Sequence, residues 1–553
     1  MSKSIVLFLS VLLLMPSILF AATAPTIEEL QMQIAEIAEE LEDLSDRLEV
    51  PERHSALDRI SFSGDLRSTV DSIHYKDVSY NPGMKVDMSG MGMGIITVPL
   101  NGQDQKPRKY DIDNDAMYTT RLRLNMKAKI ASNMKFNGRL SMYKNWGDST
   151  TTQVFDSWDS FSIDGTNSGR TSGDWLRVER AFFDWTDIGG SDFYLSIGRR
   201  PSTDGPPGNF RLNELRGGTP SGHLVNFNFD GFTVGYHLDR MTGIEGQTIR
   251  FCYGQGFESK HGNGELYDDP ISKNLEDTQL GGFNIDLFND GKTFIQSTFF
   301  RAQDVVDGFK GEFAFPTQLA AGFAPHMYPD MQDFPNMNFN VRYTPSTTIG
   351  DINLAALGFT REEDNGFVWF GSVAMTQLRP NGKAGLFGGM GSDAVYTMSP
   401  GLVPGGFDPI TGQPIQVMDG TMDIDSIDAE HDKNKEGYGV YVGMRMPAPM
   451  GKFGLEYNYG SKYWTPFTQA QDDLVGAKLS ARGSVGEVYY IFDINPRAFI
   501  KVGALYYDYK YTGSGSPVGQ PYEVDDIQDG KEYSLLPAID KAWDAYAKIT
   551  MQF

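Results

Sequence analysis

The sequence predicts an all-β fold, a transmembrane antiparallel up-and-down β-barrel of about 16 strands with a short N-terminal coiled-coil helix. Three observations predict it. Apolar and polar residues alternate in short segments from residue 60 onwards, short and long connections follow one another in turn, and the chain ends on phenylalanine. No apolar stretch of about 20 residues follows the first segment of the chain, which excludes helical membrane spans.

Residues 1–22 are typical of a secretory signal peptide. Lys3 precedes an apolar run from Ile5 to Phe20, and alanines between 21 and 24 provide a cleavage zone. The alternative is a membrane anchor, but this run is short for a span that needs about 20 residues. The lone cysteine, Cys252, lies far from the signal, which excludes a lipoprotein and predicts no internal disulfide.

Residues 25–50 predict a coiled-coil helix, and Pro51 stops it before a linker over 51–59. Apolar residues recur at alternating steps of three and four, with acidic and amide side chains between them. This seam consists of Ile27, Leu30, Ile34, Ile37, Leu41, Leu44 and Leu48. Isoleucine at both kinds of seam position disfavours two strands, so we expect a homotrimer. The alternative, an amphipathic helix on the barrel or membrane, predicts a wider apolar face and a basic polar side.

The region 60–553 alternates as a membrane barrel requires, with one face of each strand towards lipid and the other towards a wet lumen. In the second predicted strand the apolar face carries Tyr118, Leu122, Leu124, Met126, Ala128 and Ile130. The opposite face carries Thr119, Arg121, Arg123, Asn125, Lys127 and Lys129.

The connections predict the strand count. Short turns fall near 132–134, 187–192, 289–292, 447–450 and 495–497, and long loops fall near 79–115, 146–174, 201–222, 259–276, 306–350, 379–436 and 513–540. Sixteen strands place both termini in the periplasm if 223–238 is one strand and 337–345 belongs to an outer loop. The apolar phase of 223–238 shifts at Asp230-Gly231, which we interpret as a bulge; if both segments are hairpins, the count is eighteen.

The C-terminal strand carries the most specific pattern. Its apolar face consists of Trp543, Ala545, Ala547, Ile549, Met551 and Phe553. The ending Ile549, Met551 and Phe553 resembles the signal that the barrel-assembly machinery reads on outer-membrane proteins. We therefore expect that machinery, outer-membrane lipid and lipopolysaccharide as partners.

The order of signal peptide, acidic coiled coil, proline hinge and glycine-rich aromatic barrel ending in phenylalanine resembles trimeric Gram-negative outer-membrane porins with an N-terminal periplasmic coiled coil. Within these, segments 180–185 and 197–201 look like an uncharacterised porin-like family of anaerobic diderm bacteria. The resemblance implies an outer-membrane channel for passive diffusion of small hydrophilic solutes and ions. It gives no particular solute.

Basic residues at lumen parity are the candidate pore lining. Arg121, Arg123, Lys127 and Arg139 lie mid-strand, and Arg200 lies near a strand end, where a rim position is the alternative. Porins of the general type carry a similar basic ladder on one wall, facing acidic residues of an infolded loop. Such a field filters ions by sign.

Other chemistry has less support in the sequence. The acidic loop 401–436 has no glutamate at the twelfth position of a calcium loop, and the methionines between 84 and 93 fit a flexible apolar loop better than a copper site. We expect no metal, no cofactor and no catalytic residues. The net charge of −24 argues against nucleic-acid partners. Two alternatives stay open, which are a carrier for hydrophobic compounds, suggested by the aromatic loop 313–337, and the barrel sheath of an electron-transfer conduit.

The seam generates the first prediction. Replacing Ile34 and Ile37 by Asn leaves unpaired polar groups in three helices at once. We expect weaker trimers on mild-detergent gels with barrel folding intact. A trimer unchanged by deletion of 25–50 would assign the helix another role, such as contact with the cell wall.

Overall fold

The computed structural model describes residues 60–100, 106–147, 173–259, 275–308, 311–315, 339–343, 345–407, 414–534 and 536–553. The chain divides into two compact units, Met1–Ser61 and Phe62–Phe553. The predicted signal peptide, coiled-coil seam and linker lie outside the described residues, as does most of the aromatic loop 313–337. Those expectations stay predictions.

Sixteen antiparallel strands form a closed barrel in which each strand pairs with its neighbours along the chain and the last pairs with the first. The strands are β1 (Ile60–Tyr80), β2 (Arg108–Ala131), β3 (Met134–Asn145), β4 (Gly173–Trp185), β5 (Phe193–Arg200), β6 (Phe229–His237), β7 (Thr248–Gln255), β8 (Gln279–Asn289), β9 (Thr293–Val306), β10 (Thr348–Glu362), β11 (Val368–Pro380), β12 (Lys435–Ala448), β13 (Gly451–Gly460), β14 (Gly483–Asn495), β15 (Ala498–Tyr509) and β16 (Lys541–Gln552). The prediction of a sixteen-stranded up-and-down barrel is confirmed.

Alternation along the strands separates an apolar outer surface from a buried interior. On β14, Val488 is exposed on the outside, whereas Glu487 and Tyr489 are buried inside. Many outward side chains, for example Phe283 and Phe299, are exposed although they are large and apolar. Because lipid is the solvent that such a surface requires, the barrel is a transmembrane one.

The helices found among the described residues are all short. They are Asn209–Leu212, Asp239–Thr242 and Val524–Gln528, with 3-10 turns at Ser89–Met91, Ile188–Gly190 and Lys478–Ser480. Within the part of the chain that the structure describes, no helix combines the length and the apolar character that crossing a bilayer demands.

The long connections build a second layer of strands at one end of the barrel. A four-stranded sheet has the order Pro414–Ala429, Ala394–Phe407, Gly83–Asp87 and Ile95–Pro99. Two small hairpins pair Gly311–Phe315 with Phe339–Tyr343 and Ala384–Gly385 with Gly388–Gly389. Phe339–Tyr343, within the predicted segment 337–345, therefore belongs to the connection between β9 and β10 and not to the barrel wall, as the sequence predicts.

Two long connections turn inwards instead, and we call them the first infolded segment (201–228, between β5 and β6) and the second infolded segment (461–482, between β13 and β14). They contact each other through the backbone, where the Asn226 amide donates to the Phe467 carbonyl at 2.6 Å. The prediction that 223–238 is one strand is therefore wrong in its first half, since β6 begins at Phe229. Val225 and Phe227 are buried among protein side chains, which explains the shift of apolar phase without a bulge.

The chain end closes the barrel. The Gly64 amide donates to the Phe553 carbonyl at 2.8 Å, and the Phe553 amide donates to the Gly64 carbonyl at 3.0 Å. A Cβ at Gly64 would lie 2.6 Å from the Phe553 ring and 2.5 Å from the Arg123 carbonyl oxygen. Glycine at this position therefore lets the terminal ring pack onto the first strand.

Deletion of Phe553 should lower the amount of barrel in the outer membrane and raise periplasmic degradation. The deletion removes both the last pairing with β1 and the ring at the chain end. Immunoblots of fractionated membranes measure the effect, with Phe553→Tyr as the aromatic control. Normal levels without the residue would contradict its assignment as an assembly signal.

Candidate channel lumen

The lumen wall is charged on the side formed by β1 to β4. Period-two alternation directs Arg67, Arg121, Arg123, Arg139 and Glu179 inwards, because every second residue of a strand faces the same side of the sheet. All five are wholly or largely buried. The infolded segments supply the carboxylates that meet these arginines.

Arg121 joins both infolded segments to the wall. Its guanidinium lies 2.9 Å from Asp65 on β1, 3.4 Å from Glu214 of the first segment and 3.1 Å from Asp472 of the second. Only 2% of the arginine is exposed. Since breaking a buried ion pair leaves an uncompensated charge, this contact fixes the two segments relative to the strand.

Arg123 and Arg139 extend the same network around Glu179. Arg139 lies 3.0 Å from Glu179 and 3.4 Å from Asp204, and Arg123 lies 3.3 Å from Glu214 and 3.7 Å from Glu179. The first infolded segment is thus held to β2, β3 and β4 through Asp204 and Glu214.

Asp472 of the second segment stays ionised although it is buried. Burial by itself raises the pKa of this carboxyl, but the positive charges of Arg67 and Arg121 outweigh it and hold the pKa well below its usual range. Arg67 contacts Asp472 at 2.5 Å. The carboxylate therefore stays negatively charged beside Arg67 and Arg121 over the whole physiological pH range.

Glu487 on β14 is the centre of a second network. Its carboxylate forms ion pairs with Arg211 at 2.6 Å, Lys478 at 2.7 Å and Lys501 at 3.2 Å. It also accepts a hydrogen bond from the hydroxyl of Tyr546 at 2.6 Å. Arg211 belongs to the first infolded segment and Lys478 to the second, so one carboxylate holds both.

Two further contacts complete this second network. Arg211 also pairs with Asp473, and Lys478 pairs with Glu456 on β13. The pair of Arg211 with Asp473 joins the two infolded segments, whereas Glu456 and Glu487 are wall anions that meet segment cations, the reverse of the arrangement on β2 and β3.

Part of the lumen on the opposite side is apolar. Leu224, Val225 and Phe227 pack against Trp464, Phe467 and inward residues of β8 to β11 in one buried cluster. His223 lies beside this cluster, with its ring 5.2 Å from that of Trp464, and burial lowers the pKa of this histidine to about 3. The infolded segments are therefore anchored by charge on one side and by apolar packing on the other.

Two small cavities lie between these layers. One of about 30 Å³ is bounded by Arg123, Asp204, Arg211 and Asp472, and its polar lining suits water. Another of about 50 Å³ lies between Val225, Leu280 and Phe300 on the apolar side. Each of these two cavities has room for one or two water molecules.

The predicted pore-lining residues fall into two groups. Arg121, Arg123, Arg139 and Arg200 lie inside the barrel, the last with its Nε donating to Ser196 at 2.9 Å. Lys127 is exposed, towards the short-turn end of β2. In contrast to the expected wet lining, Arg121 and Arg123 are buried in ion pairs, because the infolded segments occupy the space beside them. Their role in selectivity stays a prediction.

Sequence reasoning missed the second infolded segment. Residues 461–482 do not alternate, and they carry the doublet Asp472-Asp473 followed by Lys478 and Arg482. Charged residues after a strand that ends at Gly460 are compatible with an ordinary solvated loop, so no local pattern separates the two. Arg482 is buried, and donates to the carbonyls of Trp464 and Thr512 at 3.2 and 3.0 Å.

Metal ligation finds no support among the described residues, where no three His, Cys, Asp or Glu side chains come together. Met84 packs in an apolar cluster with Val86 and Tyr396 of the outer sheet. In the described part of loop 401–436, Asp425 and Asp428 are exposed.

Comparison with known proteins gives one family. Residues 111–553 match the family described as "Protein of unknown function (DUF3373)". A search of curated proteins finds no match.

Several solved porins have a similar outline. The anion-selective porin from Comamonas acidovorans has 8% identity and a TM-score of 0.40, over 89% of this chain and 99% of that one. OprB from Pseudomonas putida has 10% identity and a TM-score of 0.38, over 91% and 96%. OmpF from Salmonella typhi, in complex with daunomycin, has 9% identity and a TM-score of 0.37, over 89% and 97%. The fold and the site rest on the strand order and contacts above.

Replacing Glu487 by Gln should loosen both infolded segments. Arg211, Lys478 and Lys501 would then surround a neutral amide, and removing one partner of a buried ion pair costs about 3–5 kcal/mol. Hydrogen exchange over 461–482 should rise, whereas Glu436→Gln, an exposed carboxylate on β12, should leave it unchanged. Equal exchange in both variants would contradict the anchoring role.

Proposed function

The chain belongs to the DUF3373 family, and from the contacts of its own lumen we propose that it is an outer-membrane porin for passive diffusion of small hydrophilic solutes and ions. The observation that carries the proposal is the charged half of the lumen, where ion pairs and a water-sized polar cavity lie between the wall and the infolded segments. Charged groups suit the passage of hydrated solutes.

The outer membrane is the compartment that fits this chain. A signal peptide predicted at 1–22 directs export, the C-terminal strand carries the pattern of an assembly signal, and the described short turns lie at the end of the barrel where both Gly64 and Phe553 lie. That end faces the periplasm if the barrel follows the bacterial rule. The predicted coiled coil would then lie in the periplasm and hold three barrels together.

The infolded segments limit what the lumen passes. They pair with Arg121 on β2 and with Glu487 on β14, and they pack against the apolar cluster on β8 to β11, so they reach across the lumen. Solutes would move along the charged side, where side chains exchange one ion-pair partner for another, and not through the apolar cluster. The channel is therefore narrow, and small solutes and ions are the class that it suits.

The two alternatives fit less well. A carrier for hydrophobic compounds needs an apolar pocket of about 300–1,000 Å³, whereas the cavity between Val225, Leu280 and Phe300 has about 50 Å³. A sheath for an electron-transfer partner needs a lumen that the partner can enter. Here the chain's own segments fill the described interior, with Trp464, Arg482 and Leu224 fully buried in it.

Reversal potentials in planar bilayers test the proposal. Purified protein should give stepwise currents, and Arg121→Glu with Arg123→Glu should shift the reversal potential in a salt gradient towards cation selectivity, most clearly at low salt. Because these arginines hold Glu214 and Asp472, we also expect larger or more frequent steps from repelled infolded segments.

The controls separate this channel from its rivals. Lys129→Glu, in an exposed position towards the short-turn end of β2, should change selectivity less than the arginine pair. Silence of the wild-type protein would favour a carrier or a sheath. Currents with an unaltered reversal potential in the double variant would show that the arginines do not border the ion path.

A further inference from the structure

The outer surface of the barrel differs from one side to the other in the height of its apolar band. A strand tilted in a membrane barrel rises about 2.5 Å per residue along the membrane normal, and the band that lipid requires is about 25 Å tall. On β2 the outward apolar residues extend from Ile130 to Tyr118, and on β16 from Met551 to Trp543. These runs correspond to about 30 and 20 Å.

On β5 to β10 the band is much shorter. The outward apolar residues of β10 extend only from Phe359 to Ala355, which is about 10 Å. Polar side chains follow directly above the band on neighbouring strands. They include Arg199 and Asp230 at 3.1 Å, Arg301 and Asp351 at 2.5 Å, and Asn353 and Gln377 at 3.0 Å. A bilayer would have to thin by more than half to leave this row in water.

The short band is also unusually aromatic. Phe193, Phe251, Phe283 and Phe299 are each between 39% and 51% exposed. Phe251 packs edge-on against Phe283, with ring centroids 5.6 Å apart. Phe251, Phe283 and Phe299 occupy directly paired positions on β7, β8 and β9, and with Phe193 on β5 we call these exposed rings the phenylalanine stripe.

An open groove lies next to the stripe. It has a volume of about 360 Å³ and is lined by Gly281, Phe299, Arg301, Asn353, Ala355 and Met375 on β8 to β11. Because the side chains of Gly281 and Ala355 are absent or small, the outer surface is recessed here. The volume exceeds the roughly 150 Å³ that accommodates a benzene ring, so an aromatic side chain fits.

From the short band, the stripe and the groove, we propose that the wall formed by β5 to β11 packs against a second copy of this chain and not against lipid. The stripe of one copy enters the groove of the next, an arrangement of unlike surfaces that closes into a ring. The wall and the predicted N-terminal seam then tie the same chains together at two levels.

A second copy fits this wall better than other occupants. The charges above the stripe are already paired with one another, as Arg199 with Asp230 and Arg301 with Asp351, so the surface is neutral and matches an equally neutral partner. An anionic lipid headgroup would instead favour unpaired cations. The heptad pattern of residues 27–48 independently predicts self-association.

Cysteine cross-linking in isolated outer membranes tests the packing. The background is Cys252→Ser, because Cys252 points inwards and accepts a hydrogen bond from Thr233 at 3.2 Å that serine also accepts. The wall pair is Phe251→Cys with Ala355→Cys, one on the stripe and one in the groove. The control pair, Leu455→Cys with Ala545→Cys, is equally far apart, on β13 and β16, and both positions are exposed.

With a short bis-maleimide, the wall pair should give at least about tenfold more covalent dimer on denaturing gels than the control pair, because only the wall brings two chains together. Equal amounts, or dimers only in the control pair, would overturn the proposal. Absence of dimers in both pairs would do the same and would point to lipid or to a segment of the same chain as the occupant.

A second variant tests the groove itself. Ala355→Trp fills the groove, and the oligomer on mild-detergent gels should then dissociate. The folded monomer, which is recognised by its change of gel mobility on heating, should persist. An unchanged oligomer would overturn the stripe-in-groove arrangement. The proposal rests on the membrane placement argued above but not on transport. Currents without wall cross-links refute the packing alone, and cross-links without currents refute the channel alone.

Discussion

A charge inside a closed barrel that is filled with protein has little water to solvate it, so it must meet an opposite charge within a few ångströms. Five arginines of this lumen, Arg67, Arg121, Arg123, Arg139 and Arg180, are close to Asp65, Glu179, Asp204, Glu214 and Asp472. Three of those carboxylates belong to infolded segments. The position of the segments therefore follows from the requirement for neutrality, and the shape of the lumen follows from the position of the segments.

The same segments meet charged wall residues in one part of the interior and an apolar cluster in another. Asp204 and Glu214 of the first segment meet arginines, whereas Leu224 and Phe227, a few residues later, meet the cluster on β8 to β11. Added salt does not weaken apolar contacts, but it weakens ion pairs that are close to water. Any opening of the lumen would accordingly begin on the charged side.

The sequence predicted the barrel, the strand count and the inward direction of Arg121, Arg123 and Arg139, because period two is a local property that a single strand displays. It mispredicted residues 223–228. Alternation at Val225 and Phe227 reports that one face is covered, but it does not distinguish cover by lipid from cover by protein. It also left out the partners of the arginines, since Asp472 lies hundreds of residues from Arg121 along the chain and no local pattern joins them.

The contact between Gly64 and Phe553 joins the two ends of the barrel sequence. Strands β1 and β16 complete the ring, so the backbone groups on their facing edges stay unpaired until these two strands meet. Before these two strands meet, the sheet presents two unpaired edges, at which strands of other chains can pair. Closure of this barrel therefore removes both edges at once, and the contact between Gly64 and Phe553 forms in that step.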